Sequence, residues 1–123
     1  MNEETYFFDT YAIIEILKGN PTYSKYKGCN PMVSGFNLAE LHLQIAREFG
    51  EETADSILGE YSKCVIDFNL DDIKETTKMK IKHAKRKFSI PDSIGYVIAK
   101  RLGIKFLTGD DAFRGMDSVE FVK

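Results

Sequence analysis

At 123 residues the chain has the length of one domain, and its 43% hydrophobic content can fill one core while 29% charged residues clothe it. A net charge of −2 gives no global pull toward nucleic acid, and Cys29 and Cys64, far apart and outside any CxxC pair, indicate neither a disulfide scaffold nor a zinc site. No apolar run approaches the roughly 20 residues a membrane span needs, and the acidic start MNEETYFFDT lacks a signal-peptide layout, so one cytoplasmic domain over 1–123 is expected.

TYFF (5–8) reads as a short buried strand between acids. Thr10 to Lys18 follows as a helix with Ile13, Ile14 and Leu17 on one face, stopped by Gly19, Asn20 and Pro21. A brief strand is expected at Met32 to Ser34, then a helix from near Asn37 to Phe49 carrying Leu38, Leu41, Ile45 and Phe49, with Gly50 ending it. Residues 51–63 begin with acids and read as helix. CVIDF (64–68) reads as a second interior strand, and Leu70 to Phe88 as one long polar helix with a basic second half. Pro91 and Asp92 open a helix through Leu102 with Ile94, Val97, Ile98 and Leu102 inside. IKFLT (104–108) is a strand, GDDAFRGM a loop or short helical turn, and SVEFV (118–122) a last strand. No repeat or linker interrupts the series. Strands alternating with helices predict an α/β domain with a parallel or mostly parallel sheet covered on both faces, and such sheets bind ligands beyond the carboxyl ends of their strands.

That rule gives the acids meaning. Asp9 follows the first strand directly; Asp110 and Asp111 follow IKFLT with Gly109 between. Asp92 stands in the first turn of the helix leading into that strand, and Glu40 early in the helix after MVS. Singly, each has a plain explanation: Asp9 or Asp92 as a helix cap, Asp110 and Asp111 as turn residues, Glu40 as a solvated helix residue, although its apolar neighbours Phe36, Leu38, Leu41 and Leu43 are expected to enclose it in part. Jointly they converge on one sheet edge. Clustered carboxylates repel, and hard divalent ions such as Mg2+ or Mn2+, which take oxygen ligands, relieve the repulsion and assist phosphodiester displacement. No matching histidines accompany them: His42 and His83 read as surface or edge residues. Neither a nucleophile turn around a cysteine nor a glycine-rich phosphate loop is present.

In this ordered set the chain resembles the PIN domain family, and within it the small VapC-like toxin ribonucleases. FFDTYAIIEIL (7–17) is similar to the family's opening strand with its first acid and hydroxyl neighbour, FNLAELHL (36–43) to its second segment, and IPDSIGYVIAKRLGIKFLTGDDAF (90–113) to its third acid, small-residue helix and Thr-x-Asp-x-x-Phe. The resemblance spans nearly the whole chain. It implies a Rossmann-like three-layer α/β/α sandwich and a metal-dependent endoribonuclease. On that likeness Asp9, Glu40, Asp92 and Asp110 bind Mg2+ or Mn2+ directly or through water, with Thr10 and Thr108 orienting them and Ser34 and Asn37 beside Glu40. Asp111 is a further acid whose role stays open. It also implies a small antitoxin as partner, and a homodimer.

Residues 78–87, KMKIKHAKRK, hold six Lys or Arg and no acid. Alone, such a run reads as a solvated helix face. Beside the resemblance, Lys82, Lys85, Arg86 and Lys87 are expected to flank the acidic pocket and hold RNA backbone phosphates. Helix 10–18 and the pair over 38–61 show more apolar surface than one core stripe needs, which fits a partner and burial on two sides equally well. A non-catalytic PIN-like module binding RNA or protein is the alternative, though clustered negative charge does not serve an RNA-binding surface. An aspartyl-nucleophile phosphohydrolase would place a second acid where Tyr11 stands. A receiver domain would carry its paired acids near the N-terminus rather than at 110 and 111.

Overall fold

A strand buried on both faces needs a run of large apolar side chains, and Tyr6, Phe7 and Phe8 supply it after Thr5. In the computed structural model, which describes residues 4–123, β1 (Thr5–Phe8) lies inside a four-stranded sheet. It pairs with β2 (Asn30–Met32) on one side and β3 (Lys105–Thr108) on the other, and β4 (Val119–Phe121) completes the order β2-β1-β3-β4. Every pairing between these strands is parallel.

Side-chain alternation sends neighbouring residues to opposite faces. Phe7 stacks on Phe106 with centroids 5.8 Å apart, and both join α5 (Ile90–Leu102), Met79 of α4 (Leu70–Lys82), Phe88 and Phe113 in one core. Tyr6, Phe8 and Leu107 face the other way. They pack with α1 (Thr10–Leu17), α2 (Gly35–Phe49), α3 (Glu51–Tyr61) and the buried Tyr23 and Tyr26. Two cores on one sheet make the expected α/β/α sandwich. Among the described residues no helix is long and apolar enough to cross a membrane.

Several expected elements change. The strand at 64–68 contracts to one parallel bridge, Val33 to Val65, beyond the edge strand β2 instead of inside the sheet. β2 is three residues long, so it offers little ladder to extend, and Val65 stays 38% exposed. Helix 70–88 stops at Lys82, followed by a 3-10 turn over 84–86 and a left-handed Lys87 (φ 57°). That reversal brings Phe88 down onto Phe113, centroids 4.5 Å apart, where a continued helix would have carried it away. α2 starts at Gly35, before Asn37, because the Ser34 side chain caps it. Leu102 and Phe49, expected inside, lie at helix ends and remain about two-fifths exposed, at 39% each. The apolar excess of α1 is absorbed: Ile13 and Ile14 are buried and Ile16 and Leu17 pack against the same core. On α2, Phe36 and Leu43 stay exposed.

α4 and α5 are joined by an ion pair. Asn69 and Asp72 form a capping box at the start of α4, and Asp72, with a side chain only 2% exposed, receives two bonds of 2.9 Å from Arg101. Burial pushes the Asp72 carboxyl up, but the Arg101 guanidinium and the Asn69 amide outweigh it and hold it below the usual range. Arg101→Leu, which leaves that carboxylate buried and unpaired, is expected to cost roughly 3 kcal/mol in urea unfolding at pH 7. A depressed carboxyl stabilises the fold above its ordinary pKa and loses that contribution as pH falls through the depressed value, so the deficit shrinks in acid.

Candidate active site

Each acid is placed by the end of an element. Asp9 leaves β1 in extended conformation (φ −80°, ψ 175°), and its Oδ1 accepts from the Ala12 amide at 2.8 Å. It therefore caps α1, yet it also lines a cleft of about 350 Å3 and is 1% exposed. At the end of β3 the Thr108 hydroxyl accepts from the Asp110 amide at 3.0 Å, and Asp110 in turn accepts from Ala112. Ser34 caps α2, which sets Glu40 on its second turn; Ser89 caps α5 by accepting from the Asp92 amide at 3.1 Å. Asp9, Glu40, Asp92 and Asp110 all line this one cleft at the carboxyl edge of β1 and β3. Glu40 is half-buried as expected; of its apolar neighbours in the helix, Phe36 packs against Phe68 with centroids 5.1 Å apart and Leu43 is half exposed.

Proximity shows in the electrostatics. Burial pushes the Asp9 carboxyl well above the ordinary range, the charge of Asp92 pushes it further, and bonds from Thr108 and Ala12 pull back. Asp92 is pushed up to about 7, first by burial, then by Glu40, with Asp110 adding to it and Ser89 opposing. Two buried polar atoms facing this environment, Thr10 Oγ1 and Asp92 Oδ1, have no hydrogen-bond partner among the described residues. Repelling carboxylates with unspent oxygens are what a hard divalent cation fits. Among the described residues no three His, Cys, Asp or Glu side chains close on a point. Mg2+ characteristically takes one or two carboxylates and fills its shell with water and phosphate oxygens, so the donor set suits it.

The remaining expected residues sort differently. Thr10 lines the cleft; Thr108 is fully buried beneath it, bonded to Asp9 and Asp110. Asn37 is buried, accepts from the Ser34 hydroxyl at 2.6 Å, and stands behind the acids against α5, where a Cβ on Gly95 would come 3.1 Å from its Oδ1. Asp111 points out, bound by Arg114 at 2.8 Å and Lys123 at 3.1 Å, so of the two adjacent acids only the first enters the cleft. His42 pairs with Asp55 at the surface and His83 lies edge-on to Phe88.

None of Lys82, Lys85, Arg86 and Lys87 lines the acidic cleft. Arg86 donates at 3.0 Å to the carbonyls of both Ala112 and Arg114, bracing the turn that follows Asp110. Lys82 borders a separate cavity of about 550 Å3 between α4 and α5. Lys85 and Lys87 are exposed. The cleft instead holds residues that sequence reasoning passed over, notably Glu15, Lys18, Gln44 and Glu48. A signal was present: Gln44 and Glu48 repeat Glu40 at steps of four, the spacing of one helix face.

Similar folds occur among solved structures. A toxin–antitoxin complex from Klebsiella pneumoniae superposes with a TM-score of 0.72 at 18% identity, over 94% of this chain and 95% of that one. VapC20 of Mycobacterium tuberculosis, described as a sarcin-ricin loop cleaving toxin, gives 0.75 at 18% identity, over 94% and 98%. VapBC2 from Rickettsia felis, bound to a DNA fragment from its promoter, gives 0.71 at 16% identity, over 96% and 97%. At such identities the likeness is one of fold. No curated protein sequence matches the chain. The PIN domain family model, however, matches residues 6–119, nearly the entire length, and the chain belongs to the PIN domain family.

Proposed function

We propose that this PIN domain is a metal-dependent endoribonuclease, using Mg2+ or Mn2+, and the toxin of a toxin–antitoxin pair acting in the cytoplasm. One observation carries the reading: four carboxylates from separate elements meet in one cleft, where Asp9 and Asp92 are held above their ordinary range by burial and by neighbouring acids. A fold does not require this arrangement, since it costs stability; a cation-dependent site does. Asp9, Glu40, Asp92 and Asp110 would hold the ion, one or two of them directly and the others through water. When bound, it supplies Lewis-acid stabilisation of charge on the phosphodiester and eases ionisation of the attacking water. Thr108 orients Asp9 and Asp110 from below, and Thr10, its hydroxyl buried and without a partner among the described residues, stands next to Asp9 at the cleft wall.

RNA as substrate and a small antitoxin as partner come from family membership and from what the neighbouring structures contain. A homodimer would use exposed apolar side chains such as Phe36 and Leu43. The test is cleavage of RNA by wild type in Mg2+ or Mn2+, its loss in EDTA, and its loss in Asp9→Asn and Asp92→Asn. Equal activity in all three proteins would end the proposal.

The basic run enters as three free lysines rather than four cations. Lys82→Gln, Lys85→Gln and Lys87→Gln combined are expected to weaken RNA binding and lower the log-log salt slope by about 2, at about 0.7 per lost single-strand phosphate contact. Arg86→Gln should instead reduce thermal stability, because its bonds are to carbonyls of its own chain. A salt slope unchanged in the triple variant would remove these lysines from the substrate path.

A further inference from the structure

The acidic cleft does not end at the four carboxylates. α1 and α2 leave it side by side, from Thr10 to Lys18 on one helix and from Glu40 to Glu48 on the other. Eight residues of helix at 1.5 Å each extend about 12 Å. At the far end Lys18 Nζ meets Glu48 at 3.3 Å across the gap. Six carboxylates line the cleft, and Lys18 is its one cation among the described residues.

A polyanion entering there meets two kinds of acid. The inner four have a cation to neutralise them when the metal is bound. Glu15 and Glu48, further out, do not, and they repel phosphate unless something offsets them. Lys18 is the group in place to do so. Its bond to Glu48 joins side chains 43% and 48% exposed, and exposed pairs of this kind are weakly held and easily exchanged. A lysine is a compact charge on a flexible stem, able to swing from a carboxylate to a phosphate without moving the backbone.

We propose that Lys18 is a phosphate-positioning residue: it gives up Glu48 for a phosphate flanking the scissile one, which makes the α1–α2 groove the track of the substrate strand. This rests on the nuclease reading above, and it assigns the groove a role that the four acids do not fill. Glu48 is then the resting partner that keeps Lys18 from folding inward onto the catalytic acids.

Lys18→Gln, Lys18→Arg, Glu48→Gln and the Lys18→Gln/Glu48→Gln double variant separate this from an idle surface pair. In Mg2+, Lys18→Gln is expected to raise KM for RNA about tenfold, the worth of one charge-assisted bond, with kcat little changed; Lys18→Arg restores it. Glu48→Gln should lower KM more when Lys18 is present, where it both frees the lysine and removes a repelling charge, than in the double variant, where only the repulsion is relieved. The same four changes, placed in an Asp9→Asn background, are read by binding of a fluorescein-labelled single-stranded RNA across a salt series. There Lys18→Gln should lower the log-log slope by about 0.7. An unchanged slope, or an equal Glu48→Gln gain with and without Lys18, overturns the proposal. If wild type cleaves no RNA in either metal, the nuclease reading fails, and the binding series still decides whether Lys18 holds phosphate.

Discussion

Asp92→Asn is expected to lower the RNA cleavage rate about a thousandfold and, in EDTA at pH 8, to raise the melting temperature of the same protein. The first effect follows from removing a charged oxygen from a site whose ion supplies several kcal/mol of transition-state stabilisation, at about 1.4 kcal/mol per factor of ten. The second follows from the cost of holding that oxygen in place. Burial, then Glu40, then Asp110 push Asp92 up to about 7, so the folded chain resists its ionisation and the unfolded chain does not. A carboxyl raised in this way costs nothing below its ordinary pKa near 4. The cost grows as pH climbs from about 4 to about 7 and is constant beyond, reaching on the order of 4 kcal/mol for a shift of about three units. Asparagine never ionises and escapes it. The stability difference between variant and wild type should therefore vanish near pH 4 and open between pH 4 and 7. Adding Mg2+ should recover more stability in wild type than in the variant, because the ion binds only the folded carboxylate set. A variant less stable than wild type at pH 8, or a difference flat across pH, would show that Asp92 serves the fold and not a cation.

Opposite signs on activity and stability also explain why the site was legible in the sequence. An acid placed at the end of an apolar strand, as Asp9 is directly after TYFF and Asp110 is after IKFLT with Gly109 between, breaks the local logic of burial, and two such breaks at one sheet edge need a common reason. The main elements were readable because their apolar periods are strong and their stops are Gly, Asn or Pro. Other features carried no local mark. Arg86 looks like its basic neighbours, and only its bonds to carbonyls 26 and 28 residues onward make it a brace. Residues 64–68 have a strand's composition but meet an edge too short to pair with. Asp110 and Asp111 are alike in the sequence. They separate because Thr108 takes the amide of the first while Arg114 and Lys123 draw the second outward. Lys18 was hidden for another reason: a lysine at a helix end is ordinary, and its meaning comes from α2 across the cleft.

Gly109→Ala should test how rigidly that separation is held. Gly109 joins Thr108 to Asp110, and an added Cβ would stand 2.3 Å from the Val122 carbonyl oxygen and 2.3 Å from the Tyr11 ring. Neither neighbour yields freely. Val122 donates its amide to Thr108 at 2.9 Å and accepts from the Tyr23 hydroxyl, while Tyr11 lies against Tyr23 with centroids 6.3 Å apart. Overpacking at such a junction costs about 1–3 kcal/mol, so the urea midpoint should fall. The displacement also has a chemical consequence. Tyr11 and Asp110 both line the acidic cleft, and a misplacement of about 1 Å in a reacting site can cost about a hundredfold in rate. Gly59→Ala supplies the comparison: it lies inside α3 with nothing near its would-be Cβ, and should gain about 1 kcal/mol with activity unchanged. If Gly109→Ala keeps both stability and rate, the junction is softer than its contacts indicate. Lost rate with stability kept would mean that Asp110 moved while the β3–β4 pairing held. Loss of both would mean that the glycine sustains the pairing and the acid together, as the shared contacts at Val122 and Tyr11 require.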